Sequence, residues 1–139
     1  MNAATQSAGI VIVIWKNGWK FLVLRVYNRW DFTKGIIENN ETPLQAAQRE
    51  AKEETGLENL LFSWGNVSKD TETYGNKKNV IFFIAETFTA NIVLPISPEL
   101  GRPEHHEFRW VSYIDARRLL NKRLVAILDW ANKLVTESK

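Results

Sequence analysis

An Asn-Gly pair at positions 17 and 18 separates two segments rich in β-branched and aromatic residues. The first segment covers residues 10–15 and the second covers Trp19–Val26. Asn-Gly provides the positive φ angles that a tight type I′ turn requires, so the pattern predicts a β-hairpin. A β-sheet is therefore the starting point of the predicted fold.

A helix over Pro43–Thr55 is marked at both of its ends. Thr42 is a good N-cap residue, and Pro43 suits the first helical position because its missing N–H costs nothing there. Gln45 lies three residues after Thr42 and completes a capping box. Gly56 can adopt the left-handed conformation that ends a helix.

The rest of the chain alternates extended and helical patterns. A run of prolines predicts a long exposed loop over residues 91–103, and three- and four-residue apolar spacing predicts a helix over residues 114–135. Further strands are predicted at residues 30–37, 60–64, 71–74, 79–88 and 108–111. This order predicts an α/β (α+β) fold, an α/β/α sandwich with a mixed sheet and helices on both faces.

Composition excludes several classes of function. The chain has 139 residues, which predicts one domain over residues 1–139, and its formal charge of +2 does not indicate nucleic-acid or membrane binding. No apolar run approaches the roughly 18 residues that a membrane span needs, and the N-terminus lacks a signal-peptide pattern, so a cytoplasmic protein is expected. Without cysteine, thiolate nucleophiles and disulfides are excluded.

Three carboxylates lie on one face of the predicted helix. Because successive helical residues advance by about 100°, Glu50, Glu53 and Glu54 share a narrow arc. Like charges at these spacings destabilise an isolated helix, and a hard divalent ion such as Mg²⁺ or Mn²⁺ would compensate them. Arg49 lies four residues before Glu53 and is expected to contact it. The alternative is an ordinary solvated acidic face.

These carboxylates belong to a longer motif. The segment reads Gly35, five residues, Glu41, seven residues, and then Arg49-Glu50-Ala51-Lys52-Glu53-Glu54-Thr55-Gly56-Leu57. It matches G-x5-E-x7-R-E-U-x-E-E-x-G-U, with U hydrophobic, at every specified position. Its fixed residues would coincide by chance on the order of once in 10⁸ starting points. On this motif the chain resembles the Nudix hydrolases.

The resemblance implies a Nudix-like α/β/α sandwich that hydrolyses a nucleoside diphosphate linked to another group, with divalent ions neutralising the phosphates. It implies that Glu50, Glu53 and Glu54 bind Mg²⁺ or Mn²⁺, and that Glu53 and Glu54 also act in catalysis. It also implies that the Gly35 carbonyl completes the metal shell, that Arg49 orients a glutamate for catalysis, and that Glu41 stabilises the loops around the helix.

Segments outside the motif resemble the dinucleoside tetraphosphate hydrolases of this family. They cover residues 30–35, 74–83 and 104–110. The resemblance favours Glu104 over Glu107 as the general base that activates water. The predicted substrate-binding residues, which would hold phosphates or stack on a base, are Lys34, Tyr74, Lys77, Lys78 and Phe82, with Tyr27 as an alternative stacking residue. Each could instead be solvated charge or core packing.

Three functions are compatible with these residues. The first is asymmetric hydrolysis of diadenosine tetraphosphate to ATP and AMP. The second is hydrolysis of another substrate, namely a nucleoside triphosphate, dihydroneopterin triphosphate or 5′-triphosphate RNA. The third is a non-catalytic nucleotide sensor, which the intact glutamates disfavour. The expected partner is a small nucleotide, with RNA only under the second reading and no membrane.

Two further groups of side chains carry expectations of their own. Adjacent residues in a strand point in different directions, so His105 and His106 are not expected to form a metal chelate together. Most of the tryptophans are expected to fill the core, and Trp30 is expected to line the pocket. The predicted core tryptophans are Trp15, Trp19, Trp110 and Trp130.

Overall fold

The computed structural model describes residues 6–72 and 79–137. Its strands are β1 (Ser7–Trp15), β2 (Trp19–Val26), β3 (Arg29–Asp31), β4 (Thr33–Ile36), β5 (Ser68–Asp70), β6 (Val80–Glu86), β7 (Ile96–Ser97), β8 (Arg102–Pro103) and β9 (Glu107–Val111). Its helices are α1 (Pro43–Thr55), α2 (Tyr113–Leu119) and α3 (Lys122–Glu137). No helix among these residues has the length and apolar character needed to cross a membrane.

Strands β3-β2-β1-β6-β5 lie side by side in one mixed sheet, in that order. Strand β1 pairs in parallel with β6 and antiparallel with β2 and β4. Strand β9 joins the sheet by pairing antiparallel with β2. The predicted hairpin is confirmed: Val13 pairs with Phe21, and Asn17 and Gly18 have φ angles of 55° and 124°. Strands β7 and β8 form a separate small sheet.

Both faces of the main sheet are buried. Because side chains alternate along a strand, Val11 and Val13 of β1 enter one core while Ile10 and Ile12 enter the other. The first core includes residues of α2 and α3, and the second includes Ala46, Ala47 and Ala51 of α1. The predicted sandwich with helices on both faces is therefore confirmed.

Helix α1 begins and ends at the predicted residues. The Thr42 hydroxyl accepts from the Gln45 amide at 3.1 Å, and the Gln45 side chain accepts from the Thr42 amide at 2.9 Å. Gly56 ends the helix with a φ of 77°, and its amide donates to the Lys52 carbonyl. Local capping interactions at both ends therefore determine where the helix that carries the glutamates begins and ends.

The single helix predicted over residues 114–135 is wrong, because α2 and α3 are separate. The Asn121 side chain accepts from the Leu124 amide at 2.9 Å, so it caps the start of a new helix within the apolar pattern. Ser112 caps α2 in the same way. Three- and four-residue spacing continues across the break, which explains why periodicity alone missed it.

Other predicted boundaries also differ. Residues 60–64 do not form a strand, and in this segment Leu61 makes only an isolated β-bridge with Glu86 of β6. Strand β5 ends at Asp70, before the predicted residues 71–74, of which 73 and 74 lie outside the described residues. The predicted loop at 91–103 contains the short strands β7 and β8. Trp15 is 61% exposed because it ends β1 at the hairpin turn, whereas Trp19, Trp110 and Trp130 pack against the cores.

Candidate active site

The three glutamates of α1 have very different surroundings. Glu54 is buried, with 5% of its surface exposed, Glu50 is partly buried, and Glu53 is exposed. The helical face predicted from the spacing therefore extends from the protein interior to solvent. An ion on this face would therefore be bound by carboxylates that differ in how freely their side chains can move.

Glu54 is held against strand β4 by two hydrogen bonds. Its Oε1 atom accepts from the Thr33 hydroxyl at 2.6 Å and from the Lys34 amide at 3.1 Å. Burial, together with the neighbouring carboxylates of Glu104 and Glu50, raises the pKa of Glu54 to about 9. A divalent cation beside this carboxylate would favour its charged form.

Arg49 connects the loop before α1 to the carboxylate face of this helix. Its Nε and Nη2 atoms donate to the two Glu41 carboxylate oxygens at 2.6 and 3.0 Å, and Nη1 donates to Glu50 at 2.8 Å. The predicted contact with Glu53 is present but longer, at 3.4 Å. Arg49 therefore orients Glu50 and Glu41 more closely than Glu53.

Glu41 and Gly35 have positions that explain their place in the motif. Glu41 also accepts from the Glu38 amide at 2.9 Å, and the Arg49 hydrogen bond lowers the pKa of Glu41. A Cβ atom on Gly35 would overlap the Glu50 carboxylate, so only glycine lets β4 approach that side chain so closely. Strand β4, through Gly35, and the loop before α1, through Glu41, are therefore both packed against α1.

Glu104 reaches the same site from the loop between β8 and β9. Ligand atoms of Glu54, Glu104 and His105 all lie within 4.8 Å of one another. Glu104 is exposed, whereas Glu107 forms ion pairs of 2.8 Å with both Arg25 and Arg109. Hydrogen bonds from Arg109 and Arg25 lower the pKa of Glu107. The structure therefore places Glu104, not Glu107, beside the α1 carboxylates.

His105 is a member of the site that the sequence analysis missed. It is 7% exposed, and its Nδ1 atom is buried without a hydrogen-bond partner among the described residues. Burial lowers the pKa of His105 to about 4, with a contribution from Lys34. His106 points elsewhere, and its Nδ1 accepts from the Tyr27 amide at 3.2 Å. The two histidine side chains point in different directions, as expected. His105 nevertheless lies beside Glu54 and Glu104.

Two cavities flank the Glu104-His105 pair. One has a volume of about 260 Å³ and lies between the α1 carboxylates Glu53 and Glu54 and the proline-rich segment 94–99. The other has a volume of about 230 Å³ and is lined in part by Trp30 and Lys34. Trp30 lines this second cavity, and its place in a substrate pocket stays a prediction. One cavity thus has apolar walls beside acids, and the other has basic and aromatic walls.

The predicted substrate-binding residues separate into three groups. Lys34 lies at the second cavity and pairs with Asp31 at 3.3 Å. The stacking role for Phe82 is wrong, because its ring is completely buried in the core against Phe32 and offers no surface to a base. Three further predictions fall outside the described residues, namely Tyr74, Lys77 and Lys78.

Comparison with known proteins finds relatives in sequence and relatives in fold. The family model described as the NUDIX domain matches residues 5–131. The asymmetrical bis(5'-nucleosyl)-tetraphosphatase of Sus scrofa is 28% identical over 117 residues, covering 79% of this chain and 76% of that protein. The RNA pyrophosphohydrolase of Hydrogenovibrio crunogenus is 40% identical over 72 residues, which are 51% of this chain. The present chain spans less than half of that relative, since the match covers 44% of its length.

The structural likeness covers nearly the whole chain. An Ap4A hydrolase from C. elegans, solved as a binary complex, superposes with a TM-score of 0.80 at 22% identity, covering 97% of this chain and 100% of that one. At this identity the superposition establishes the fold. The family model covers residues 5–131 and the motif is intact, so this chain belongs to the Nudix hydrolase family.

Proposed function

We propose that this enzyme hydrolyses dinucleoside tetraphosphates asymmetrically, converting diadenosine tetraphosphate to ATP and AMP with Mg²⁺ or Mn²⁺. The observation that carries the proposal is Glu104, a carboxylate outside the motif that lies beside Glu54 across the site. The pig relative whose name states this asymmetric activity is similar over 79% of the chain. The family match alone leaves the substrate open.

The donor atoms around α1 fit a hard divalent ion. Glu50, Glu53 and Glu54 would supply carboxylate oxygens, and Gly35 of β4, whose carbonyl is the further predicted ligand, lies against the Glu50 carboxylate. Oxygen donors of this kind are the ones that Mg²⁺ and Mn²⁺ prefer. A bound ion would neutralise negative charge on the phosphate chain as it develops in the transition state.

Glu104 has the position of a general base. It is exposed to the solvent from which the attacking water comes, and it lies beside buried Glu54. Its carboxylate would accept a proton while the water oxygen bonds to phosphorus and the bridging oxygen departs with its electron pair on the leaving nucleotide. Glu107 is tied to two arginines and is therefore a poorer base.

The two cavities support a substrate with groups at both ends of a phosphate chain. The chain would cross the Glu104-His105 pair, with Lys34 providing positive charge on one side. Tyr74, Lys77 and Lys78 remain predicted phosphate-binding residues. The two cavities have similar volumes but different linings, so they would hold the two ends of the substrate differently, and this difference would favour cleavage nearer one end of the phosphate chain.

Product analysis tests the proposal directly. Hydrolysis of diadenosine tetraphosphate in ¹⁸O-labelled water should yield ATP and AMP, with the label in only one of them. Accumulation of two ADP molecules would contradict asymmetric cleavage. A parallel panel of dinucleoside polyphosphates, nucleoside triphosphates and dihydroneopterin triphosphate, compared by kcat/KM, would establish the preferred substrate.

One comparison favours a second candidate, the triphosphate 5′ end of RNA. The Hydrogenovibrio crunogenus relative is named an RNA pyrophosphohydrolase and is 40% identical over 72 residues. If RNA is the substrate, 5′-triphosphate RNA should exceed diadenosine tetraphosphate in kcat/KM and release pyrophosphate. The same panel separates the two candidates when this RNA is included.

A further inference from the structure

His105 is a buried polar side chain whose position needs an explanation. It is 7% exposed, and its Nδ1 atom has no hydrogen-bond partner within residues 6–72 and 79–137. Leaving a buried nitrogen unpaired is unfavourable, so proteins seldom retain one without a ligand or a bound water. The ring also lies at both active-site cavities. A ligand that completes this nitrogen would therefore lie in the site.

The surrounding atoms have the spacing of a metal site. One ligand atom each from Glu54, Glu104 and His105 lies within 4.8 Å of the other two. Donors bound at about 2.0–2.2 Å to a common ion are separated by at most about 4.4 Å. Sub-ångström movements of the side chains would bring the three atoms around one ion. The exposed position of Glu104 leaves it free to make such a movement.

Glu54 is already oriented for this role. Both of its hydrogen bonds described above, from the Thr33 hydroxyl and the Lys34 amide, end on Oε1. They hold Oε1 in place, and neither of them uses Oε2, so that oxygen can bind an ion. Outer hydrogen bonds of this kind are how proteins orient metal ligands.

We propose that one ring nitrogen of His105 joins Glu54 and Glu104 in holding a divalent ion, and that this nitrogen makes the site favour Mn²⁺ over Mg²⁺. Mg²⁺ prefers oxygen donors and gives up its water reluctantly, whereas transition-metal ions accept imidazole more readily. The inference rests on the proposed function only in sharing Glu54 and Glu104 with it. Glu104 has two carboxylate oxygens, so one can hold the ion while the other accepts a proton.

Pulsed electron paramagnetic resonance of bound Mn²⁺ tests the nitrogen ligand without any hydrolysis assay. The chain contains only two histidines, and His106 is the matched control because its Nδ1 is engaged by the Tyr27 amide. The 139-residue chain loaded with Mn²⁺ should show the coupling of a directly bound imidazole nitrogen. The signal should vanish in His105→Gln and persist in His106→Gln.

Isotope labelling covers the case in which His105→Gln does not fold. In His106→Gln grown with ¹⁵N-histidine, His105 is the only labelled residue, so the ¹⁴N coupling should be replaced by ¹⁵N coupling. Absence of imidazole coupling in the wild-type chain would overturn the proposal. So would a coupling that disappears in His106→Gln, or one that survives in folded His105→Gln.

Metal titration adds the selectivity. His105→Gln should weaken Mn²⁺ binding by at least about 10- to 100-fold, the loss that follows from changing a residue that only orients a metal ligand, and should change Mg²⁺ binding much less. Equal losses for both ions would overturn the claim of selectivity. Nitrogen coupling without ATP and AMP production would leave this site intact and reject the proposed substrate. ATP and AMP production without nitrogen coupling would do the reverse.

Discussion

The two sides of the active site are built differently. On the α1 side, Arg49 makes short hydrogen bonds to Glu41 and Glu50, and Glu54 is buried against β4. On the opposite side, Glu104 is exposed and follows strand β8, which has only two residues. The first side is preorganised by many bonds, while the second can adjust when a substrate arrives. Under the proposed roles, α1 supplies rigidly held metal ligands, and the opposite loop supplies Glu104 as a base that can move with the substrate.

The preorganised side should give the largest loss when it is changed. Glu53→Gln or Glu54→Gln is expected to lower kcat by about 10³-fold or more, because each removes charge from the group that holds the ion near the reacting phosphate. Glutamine keeps an acceptor oxygen for Thr33 in the Glu54 variant, so the fold should survive. Turnover is measured at saturating Mg²⁺ and compared with the melting temperature of each variant.

Two outcomes would break this half of the comparison. Near-normal turnover in both variants would remove α1 from the mechanism. Equal loss of activity and melting temperature would show that the glutamates mainly stabilise the fold. Glu58→Gln is a suitable control, because Glu58 is exposed beyond the end of α1 and pairs with Lys52 at 3.5 Å.

The adjustable side should give the next largest effect. Removing a positioned base typically costs 10² to 10⁴ in rate, so Glu104→Gln is expected to lower kcat by about that factor with little change in KM. Glu107→Gln is the matched control, because it removes a carboxylate three positions away that is paired with two arginines. A large loss in Glu107→Gln alone would assign the base to Glu107, and no loss in either would place the base on α1.

Arg49 tests how much the preorganisation itself contributes. Lysine keeps the positive charge but cannot donate simultaneously to Glu41, Glu50 and the Ile36 carbonyl, which Arg49 does. Arg49→Lys should therefore weaken metal affinity or kcat by about 10- to 100-fold. An unchanged metal titration and unchanged kcat would show that Glu50 keeps its orientation without the arginine.

The same contrast explains what could be predicted from the sequence. Helix α1 was predictable to the residue because Thr42, Gln45 and Gly56 act through local hydrogen bonds. The burial of Phe82 and His105 was not, because it depends on how distant strands and loops pack. Glu104 was identified through family resemblance, and its proximity to Glu54 depends on a contact between segments 50 residues apart along the chain.

The smallest expected effect is a pH dependence of stability in the metal-free protein. Burial raises the pKa of Glu54 from 4.5 to about 9, so the folded state retains a proton that the unfolded state has lost between these pH values. The free energy of unfolding should then fall as pH rises through this interval. His105 has the opposite effect below pH 6.5, because burial lowers its pKa to about 4. The informative range is therefore pH 6.5 to 9.

Across that range the melting temperature of the metal-free wild-type chain should decrease more than that of Glu54→Gln, which has no carboxylate to ionise at this position. Glu104→Gln should show an intermediate slope, since the exposed Glu104 charge adds to the raised pKa of Glu54 without causing its burial. Saturating Mg²⁺ or Mn²⁺ should flatten the wild-type curve because the cation favours ionised Glu54. Parallel curves for wild type and Glu54→Gln would mean that Glu54 is charged at neutral pH without metal. In that case hydrogen bonds alone would stabilise the ionised Glu54 carboxylate. The ion would then be needed for catalysis and not to neutralise the charge of Glu54.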